Sequence, residues 1–318
     1  MTKRYKVLIS APYLVKDIEL FRDELAENGV DIDVRAVNER LEESELLEII
    51  AQYDGVVCGD DRFTPKVYDR AENLKVVVKW GTGIDSLNRE YALSKNIPVL
   101  NTPDAFTEPV SDSVMAFILS FARQIATSDR LMKNGHWQKC AGFCLNELTL
   151  GIIGVGRIGS AVAKKANAFG MKILGCDIKD IDPEVVKVSN IEMVTKDELL
   201  QRSDYLTLNC DLNPTSFHLI GEDDFNIMKK SAVIINTARG PIVDEQSLIH
   251  ALQSRKISGA GLDVFEQEPL CYDSPLRKMD NCLLSSHNVN TSPKYWSRVH
   301  RNSIDMLYQG LNIEMVSL

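Results

Sequence analysis

Residues 148–178, LTLGIIGVGRIGSAVAKKANAFGMKILGCDI, constrain the fold more than any other segment, because one hydrophobic period gives way to another within them. Leu150, Ile152 and Ile153 form a short apolar strand, and Gly154, Gly156 and Gly159 follow in the G-x-G-x-x-G spacing. That spacing lets a backbone turn tightly, approach a pyrophosphate and pack a helix close to a sheet. A helical stretch comes next, and its N-terminus would face the phosphates. A second apolar run, residues 171–176, ends at Asp177. An acid there would accept hydrogen bonds from both hydroxyls of an adenosine ribose. The unit therefore predicts a bound dinucleotide, with contacts from Gly154, Gly156, Arg157, Ile158, Gly159 and Asp177. Asp177 would repel a 2′-phosphate, so the expected cofactor is NAD; Lys179 is the neighbour that would favour NADP.

A chain of 318 residues exceeds the usual single core, which makes two domains the expectation. The glycine motif sits mid-chain, and strand patterns precede it at 6–10, 33–37, 55–58, 76–79 and 99–100. Amphipathic stretches at 16–28 and 44–52 separate some of them, so a second, smaller parallel sheet is expected. Asn101, Thr102 and Pro103 then punctuate the chain. One long helix is predicted from about residue 108 to 133, apolar on more than one face and so buried, in part against another subunit. Beyond Asp177, strands are expected at 205–209, 232–236, 259–262 and 282–285, with helices at 196–202 and 245–254. This alternation predicts an α/β fold with a doubly wound parallel sheet. A last helix, 295–310, has no sheet of its own and is expected to return to the N-terminal unit; the tail after it is too short for a regulatory domain.

Composition narrows the partners. With 44% hydrophobic and 25% charged residues the chain reads as an ordinary globular protein. Nothing approaches the roughly 18 uninterrupted apolar residues of a membrane span, and the basic start runs directly into a strand. A net charge of −9 argues against nucleic acid and anionic membranes as partners. Seven scattered cysteines suit a reducing compartment, so a cytoplasmic location is expected. Cys140 and Cys144 could be helix neighbours, but no histidine or acid cluster joins them, and no metal is expected.

Three polar groups follow the late strands, where open α/β sheets place ligands: Arg239, Glu268 and His287. Singly, each has a plain structural explanation as a surface ion pair, a loop acid or a capping histidine. Together they supply what hydride transfer at a carbinol carbon requires. His287 can exchange the hydroxyl proton, since imidazole titrates near neutrality. A carboxylate at Glu268, bonded to the other ring nitrogen, would favour the protonated ring and fix its tautomer. Arg239, permanently charged and fork-shaped, can grip a carboxylate.

In the order glycine motif, NTARGPIVDEQSL, GAGLDVFEQEP and SSH, the chain resembles the D-isomer-specific 2-hydroxyacid dehydrogenase family, of the phosphoglycerate dehydrogenase-like type without a regulatory domain. The resemblance runs from about Asp54 onward. It implies Arg239 as ligand of the substrate carboxylate and carbonyl, His287 as acid/base and Glu268 as its partner. It also implies Asp263 near the nicotinamide carboxamide, with Thr237 and Ala238 as backbone contacts to the cofactor. KWGTGID matches the family's substrate loop, which implies Lys79, Gly81, Thr82 and Gly83 as substrate-binding, the amides of Thr82 and Gly83 holding the carboxylate. The start of the long helix matches a segment that commonly lies at a dimer interface, so a homodimer is implied. The implied fold is two Rossmann-like domains with the active site in the cleft. An NAD-binding domain, 102–290, is inserted into a flavodoxin-like substrate domain, 1–101 and 291–318.

Two departures stand out. After His287 the family usually runs through small residues and glycine, whereas here Asn288, Val289 and Asn290 follow, and larger amides are expected to alter the pocket. Asp60 and Asp61 stand where phosphoglycerate-type members carry an Arg-Ser pair, and an acidic pair there would repel a phosphate, with Arg62 and Lys66 as compensating cations. The function expected is NAD-dependent interconversion of a small D-2-hydroxy acid and its 2-keto acid. The alternatives are an NAD(H)-sensing binding protein of the corepressor type and a dehydrogenase of an unusual donor such as formate, phosphite or a sugar-derived acid.

Overall fold

The computed structural model describes residues 4–313, which form two compact units. One comprises the described residues up to Phe106 together with those from Ser292 onward; the other is Thr107–Thr291. Each is built on a parallel sheet, as the alternation of strands and helices predicts.

In the first unit the strands are β1 (Tyr5–Ile9), β2 (Val30–Val34), β3 (Gly55–Cys58), β4 (Val76–Lys79) and β5 (Val99–Asn101), in the order β2-β1-β3-β4-β5. The valine-rich β3 and β4 are buried on both faces, the mark of a central parallel strand. The edge strand β2 lies three residues earlier than 33–37, because Val30–Val34 pairs in register with Tyr5–Ile9. Its apolar residues alternate with Asp31 and Asp33, as a half-covered edge strand requires. The stretch 16–28 is three short pieces, Pro12–Asp17, a 3₁₀ turn at Ile18–Phe21 and Arg22–Glu27. The last helix, Pro293–Leu311, returns to this unit and packs on β3 and β4. Leu307 lies against Gly55, and Gly310 lets the helix backbone approach Val76.

The second unit has seven parallel strands: β6 (Thr149–Ile153), β7 (Lys172–Cys176), β8 (Ile191–Met193), β9 (Tyr205–Leu208), β10 (Val233–Asn236), β11 (Gly259–Leu262) and β12 (Cys282–Leu284). Their order is β12-β11-β10-β9-β6-β7-β8, so the winding reverses between β6 and β9. Ligands of open α/β sheets bind at such a reversal, outside the carboxyl ends of the strands.

The helix expected over 108–133 is two helices, Thr107–Ala122 and Ile125–Lys133. The break has a specific cause. Phe143 N donates to Ala122 O at 2.9 Å, taking the carbonyl that a continuous helix would offer to the amide of Ala126. Gln124 then turns left-handed at φ 55°. The apolar sides of the first helix are satisfied within the unit. Val114, Met115 and Ile118 are buried, while Phe117 and Phe121 lie over Gly261 and Gly259 of β11. Lys165 pins this helix to the dinucleotide helix, its ammonium meeting Glu108 at 2.9 Å, Asp112 at 2.7 Å and Ser111 at 2.6 Å. Among the described residues no helix is long and apolar enough to cross a membrane.

The Gly310 contact generates a test. A Cβ there would lie 2.2 Å from Val76 Cγ2. Gly310→Ala should lower the denaturation midpoint although alanine favours a helix by about 1 kcal/mol, since overpacking a core costs about 1–3 kcal/mol. Chemical denaturation of the two proteins checks the sign.

Candidate active site

The glycine turn closes the carboxyl end of β6. Gly154 has φ 89°, and a Cβ on it would lie 2.7 Å from the carbonyl carbon of Asn209 and from Cys210 N, so only glycine fits against the end of β9. A Cβ on Gly159 would lie 2.1 Å from Gly154 O, which is how the helix Arg157–Ala168 reaches the turn. Gly156, the helix N-cap, has open space where its Cβ would be, and no side chain caps the helix. That open, uncapped N-terminus fits a pyrophosphate. Arg157 is exposed beside it, and Ile158 packs partly into the core.

Asp177 does more than the ribose role expected of it. Its Oδ2 accepts from Val155 N at 2.8 Å and its Oδ1 from Lys179 N at 2.9 Å, so the acid also holds the glycine turn. Each carboxylate oxygen keeps a second lone pair for a hydroxyl donor.

The groups proposed for chemistry lie along the same edge. Asn236, Leu262 and Leu284 are register partners across β10, β11 and β12, so the residues following them emerge side by side. After β10, the buried Asn236 shapes the turn: its Oδ1 accepts from Ala238 N at 3.1 Å and its Nδ2 donates to Arg239 O at 2.8 Å. Sequence reasoning missed Asn236; its signal is a polar residue closing the apolar run VIIN. Thr237 is buried, and Arg239 Nη1 donates to Ala238 O at 2.8 Å. Gly240 presses on the next loop, where a Cβ would lie 1.9 Å from the carbonyl carbon of Phe265. The Arg239 and Glu268 loops are thus in backbone contact.

After β11, Asp263 is fully buried. Its carbonyl accepts from His287 N at 2.8 Å, and its carboxylate accepts from Asn288 N at 2.8 Å and Val289 N at 3.3 Å. It therefore orders the backbone of residues 287–289. His287 sits at φ 52°, a left-handed conformation in which histidine is enriched. Its Nδ1 lies 2.8 Å from Glu268 Oε2, while Glu268 Oε1 accepts from Phe265 N at 3.0 Å. Both side chains are half-buried.

In the first unit, the candidate substrate loop follows β4. Lys79 is buried with its ammonium 3.0 Å from Asp60 Oδ1. Gly81 has φ 122° and gives its N–H to Thr102 Oγ1 at 3.1 Å, while Asn101 Nδ2 donates to Thr82 O at 2.7 Å. Since the Gly81 amide is engaged, the donors left to consider are Thr82 and Gly83. The acidic pair differs from two exposed charges. Asp61 is fully buried, bonded to the Ser10 hydroxyl and to Leu41 N at 2.8 Å, and burial pushes its carboxyl up to about 6. Cys140 and Cys144 are not helix neighbours: Cys140 lies in irregular backbone and Cys144 precedes a 3₁₀ turn at Leu145–Glu147. No cluster of three candidate metal ligands occurs among the described residues.

Residues 115–288 match the profile of the D-isomer specific 2-hydroxyacid dehydrogenase NAD binding domain, more than half of the chain. The chain belongs to the D-isomer-specific 2-hydroxyacid dehydrogenase family. It is an NAD-binding 2-hydroxyacid dehydrogenase, an oxidoreductase acting on CH–OH donors. A glyoxylate reductase of Korarchaeum cryptofilum is 37% identical over 262 residues, 80% of this chain and 78% of the relative. A D-3-phosphoglycerate dehydrogenase of Methanocaldococcus jannaschii is 41% identical over 251 residues, 78% of this chain but 48% of the relative, about half its length. The crystal structure of D-lactate dehydrogenase from Aquifex aeolicus, complexed with NAD and lactic acid, superposes with a TM-score of 0.86 at 26% identity, covering 96% of this chain and 95% of that one. The two parallel sheets are those of the family's two-domain Rossmann-like fold.

In this dehydrogenase Asp177 braces the glycine turn, and the ribose contact expected of it can be tested. Asp177→Ala should weaken NADH binding about tenfold, within the about 1.5–3 kcal/mol of a hydrogen bond to a charged group, and erode the preference over NADPH. Fluorescence titration with both cofactors checks it; an unaltered ratio places the ribose contact elsewhere.

Proposed function

We propose that the enzyme interconverts a small D-2-hydroxy acid and its 2-keto acid, with His287 as acid/base, Glu268 as its orienting partner and Arg239 as ligand of the substrate carboxylate and carbonyl oxygen. The observation that carries this reading is the 2.8 Å bond between His287 Nδ1 and Glu268 Oε2, with Glu268 itself held by Phe265 N. A ring that gives its Nδ1–H to a carboxylate has Nε2 as the atom that exchanges a proton. NAD held at the glycine turn of Gly154, Gly156 and Asp177 would accept the hydride from C2 in its oxidised form and, as NADH, would return it. In the reductive direction the proton on Nε2 goes to the carbonyl oxygen, and the resulting histidine is recharged from solvent.

Arg239 answers the charge that grows on that oxygen. Its Nη1 is tethered to Ala238 O, which orients the guanidinium fork and favours a planar carboxylate over a spherical anion. In the first unit, the amides of Thr82 and Gly83 are the donors we assign to a substrate carboxylate. Lys79 serves the loop through its bond to Asp60 rather than as an uncompensated cation. Names of relatives support a small substrate: glyoxylate reductase is the description of several, and lactic acid occupies the Aquifex aeolicus structure. Cytoplasmic residence suits seven free thiols. A second copy of the chain is the partner we place on the helix Ile125–Lys133, which buries no residue of its own and exposes Ile125 and Met132 next to Trp137.

The decisive assay follows NADH oxidation with glyoxylate, pyruvate, hydroxypyruvate, 2-ketoglutarate and phosphohydroxypyruvate. His287→Gln should lower turnover at least about a hundredfold, the usual worth of a positioned acid/base, with NADH binding retained; near-normal turnover removes His287 from the chemistry. Arg239→Lys should lower catalytic efficiency despite keeping the charge, because the fork is lost. An unchanged kcat/KM assigns the carboxylate to another group.

A further inference from the structure

A second histidine and its acids lie behind the Glu268 and Arg239 loops. His218 follows β9, and its N–H donates to Pro241 O at 2.8 Å, two residues beyond Arg239. Ile220 N donates to Ile242 O at 3.1 Å, and Asp244 N to Ile220 O at 2.9 Å, so the two segments run as a short parallel bridge. The ring extends the linkage to a third segment. Its Nε2 lies 2.8 Å from Glu266 Oε1 and its Nδ1 3.5 Å from Asp244 Oδ2. Glu266 is two residues before Glu268 and one after Phe265, whose amide holds the Glu268 carboxylate. Glu266 and Glu245 also exchange amide-to-carboxylate bonds of 3.1 Å in both directions. Phe217 stacks on the imidazole at 4.0 Å.

We infer that His218 is a positioning residue for this reaction, a proton-dependent clamp that holds the Arg239 and Glu268 loops together; the inference rests on the acid/base reading of His287 and Glu268. The charges around the ring set the sense of the switch. Asp244, Glu245 and Glu266 face it, and the cation of the adjoining helix, Lys196, is paired with Asp224 at 2.7 Å while donating to Leu219 O. Ser247 N holds the Asp244 carboxyl below its ordinary range, and the charge on His218 adds to this. An imidazolium has two N–H donors and satisfies both Glu266 and Asp244; the neutral ring has one, so a carboxylate is left facing a lone pair. The clamp is closed while the ring carries both protons and loosens when it carries one. His218 takes φ 48°, a backbone conformation that asparagine also tolerates, so His218→Asn removes the cation with little backbone strain.

The experiment measures kcat and KM for NADH-dependent glyoxylate reduction from pH 5.5 to 9 in the wild type, His218→Asn, Glu266→Gln, the double variant and His287→Gln. At pH 6 the wild type should exceed His218→Asn and Glu266→Gln in kcat about fivefold to tenfold, with the ratios falling toward one by pH 9. The double variant should be no worse than the poorer single one. A wild-type to variant ratio that is constant with pH, whether at one or above it, overturns the clamp, as do additive losses in the double variant. Should His218→Asn fail to fold, the Glu266→Gln ratio alone decides. If His287→Gln keeps turnover, the acid/base reading falls and takes this inference with it; if His287→Gln is inactive and the ratios are flat, only the clamp falls.

Discussion

Asp263 is the residue on which the geometry at the carboxyl ends of β10, β11 and β12 depends. Its N–H donates to Asn236 O at 3.0 Å, its carbonyl takes the amide of His287, and its buried carboxylate takes those of Asn288 and Val289. One residue thereby ties the end of β10 to the end of β12 through β11. A buried carboxylate is tolerable only when its lone pairs are met, and here backbone amides meet them. The amides in question belong to a turn that has no regular structure of its own. Removing the acid would leave two donors, Asn288 N and Val289 N, without this partner, and the turn that follows His287 would lose its anchor.

Around that point the parallel sheet does the placing. Parallel strands bring every carboxyl end to one edge, so polar residues far apart in the chain converge without any one loop having to be long. Gly154, Gly240 and Gly159 then allow backbone to touch backbone where a methyl group would collide. The glycine turn meets the end of β9, and the Arg239 loop meets the Glu268 loop. The Asp177 carboxylate, expected to meet a ribose, is already braced by Val155 N and Lys179 N. A bracing bond of this kind costs the ligand nothing at binding, because the acid is ordered beforehand.

Much of this was legible in residue order, for physical reasons. Continuous apolar runs such as VVVK and GAGL announce buried parallel strands, and β4 and β11 fall where those runs stand. The Leu150 to Asp177 unit was readable because Gly154 and Gly159 each answer a separate steric demand and Gly156 leaves the helix N-terminus open. What misled was context. The edge strand β2 alternates with acids, and the overlapping segment 33–37 alternates with Asp33 and Arg35 in the same way, so local pattern does not fix which stretch pairs with β1. The break at Gln124 depends on Phe143 capturing Ala122 O, a contact across about 20 residues that no local period records. Asn236 and His218 escaped notice because both act on backbone segments brought near only by folding.

The acidic pair after β3 shows how burial changes the meaning of a charge. Read as two neighbouring aspartates, Asp60 and Asp61 form a barrier to phosphate. Folded, Asp61 is an internal strut between Ser10 and Leu41, with its carboxyl pushed up to about 6, and Asp60 is matched by the Lys79 ammonium. Asp60 and Lys79 offset each other, so a single buried, hydrogen-bonded carboxyl stands where the sequence reads two exposed charges. Lys79 is buried against Asp60, and the pair ties the end of β4 to the turn after β3.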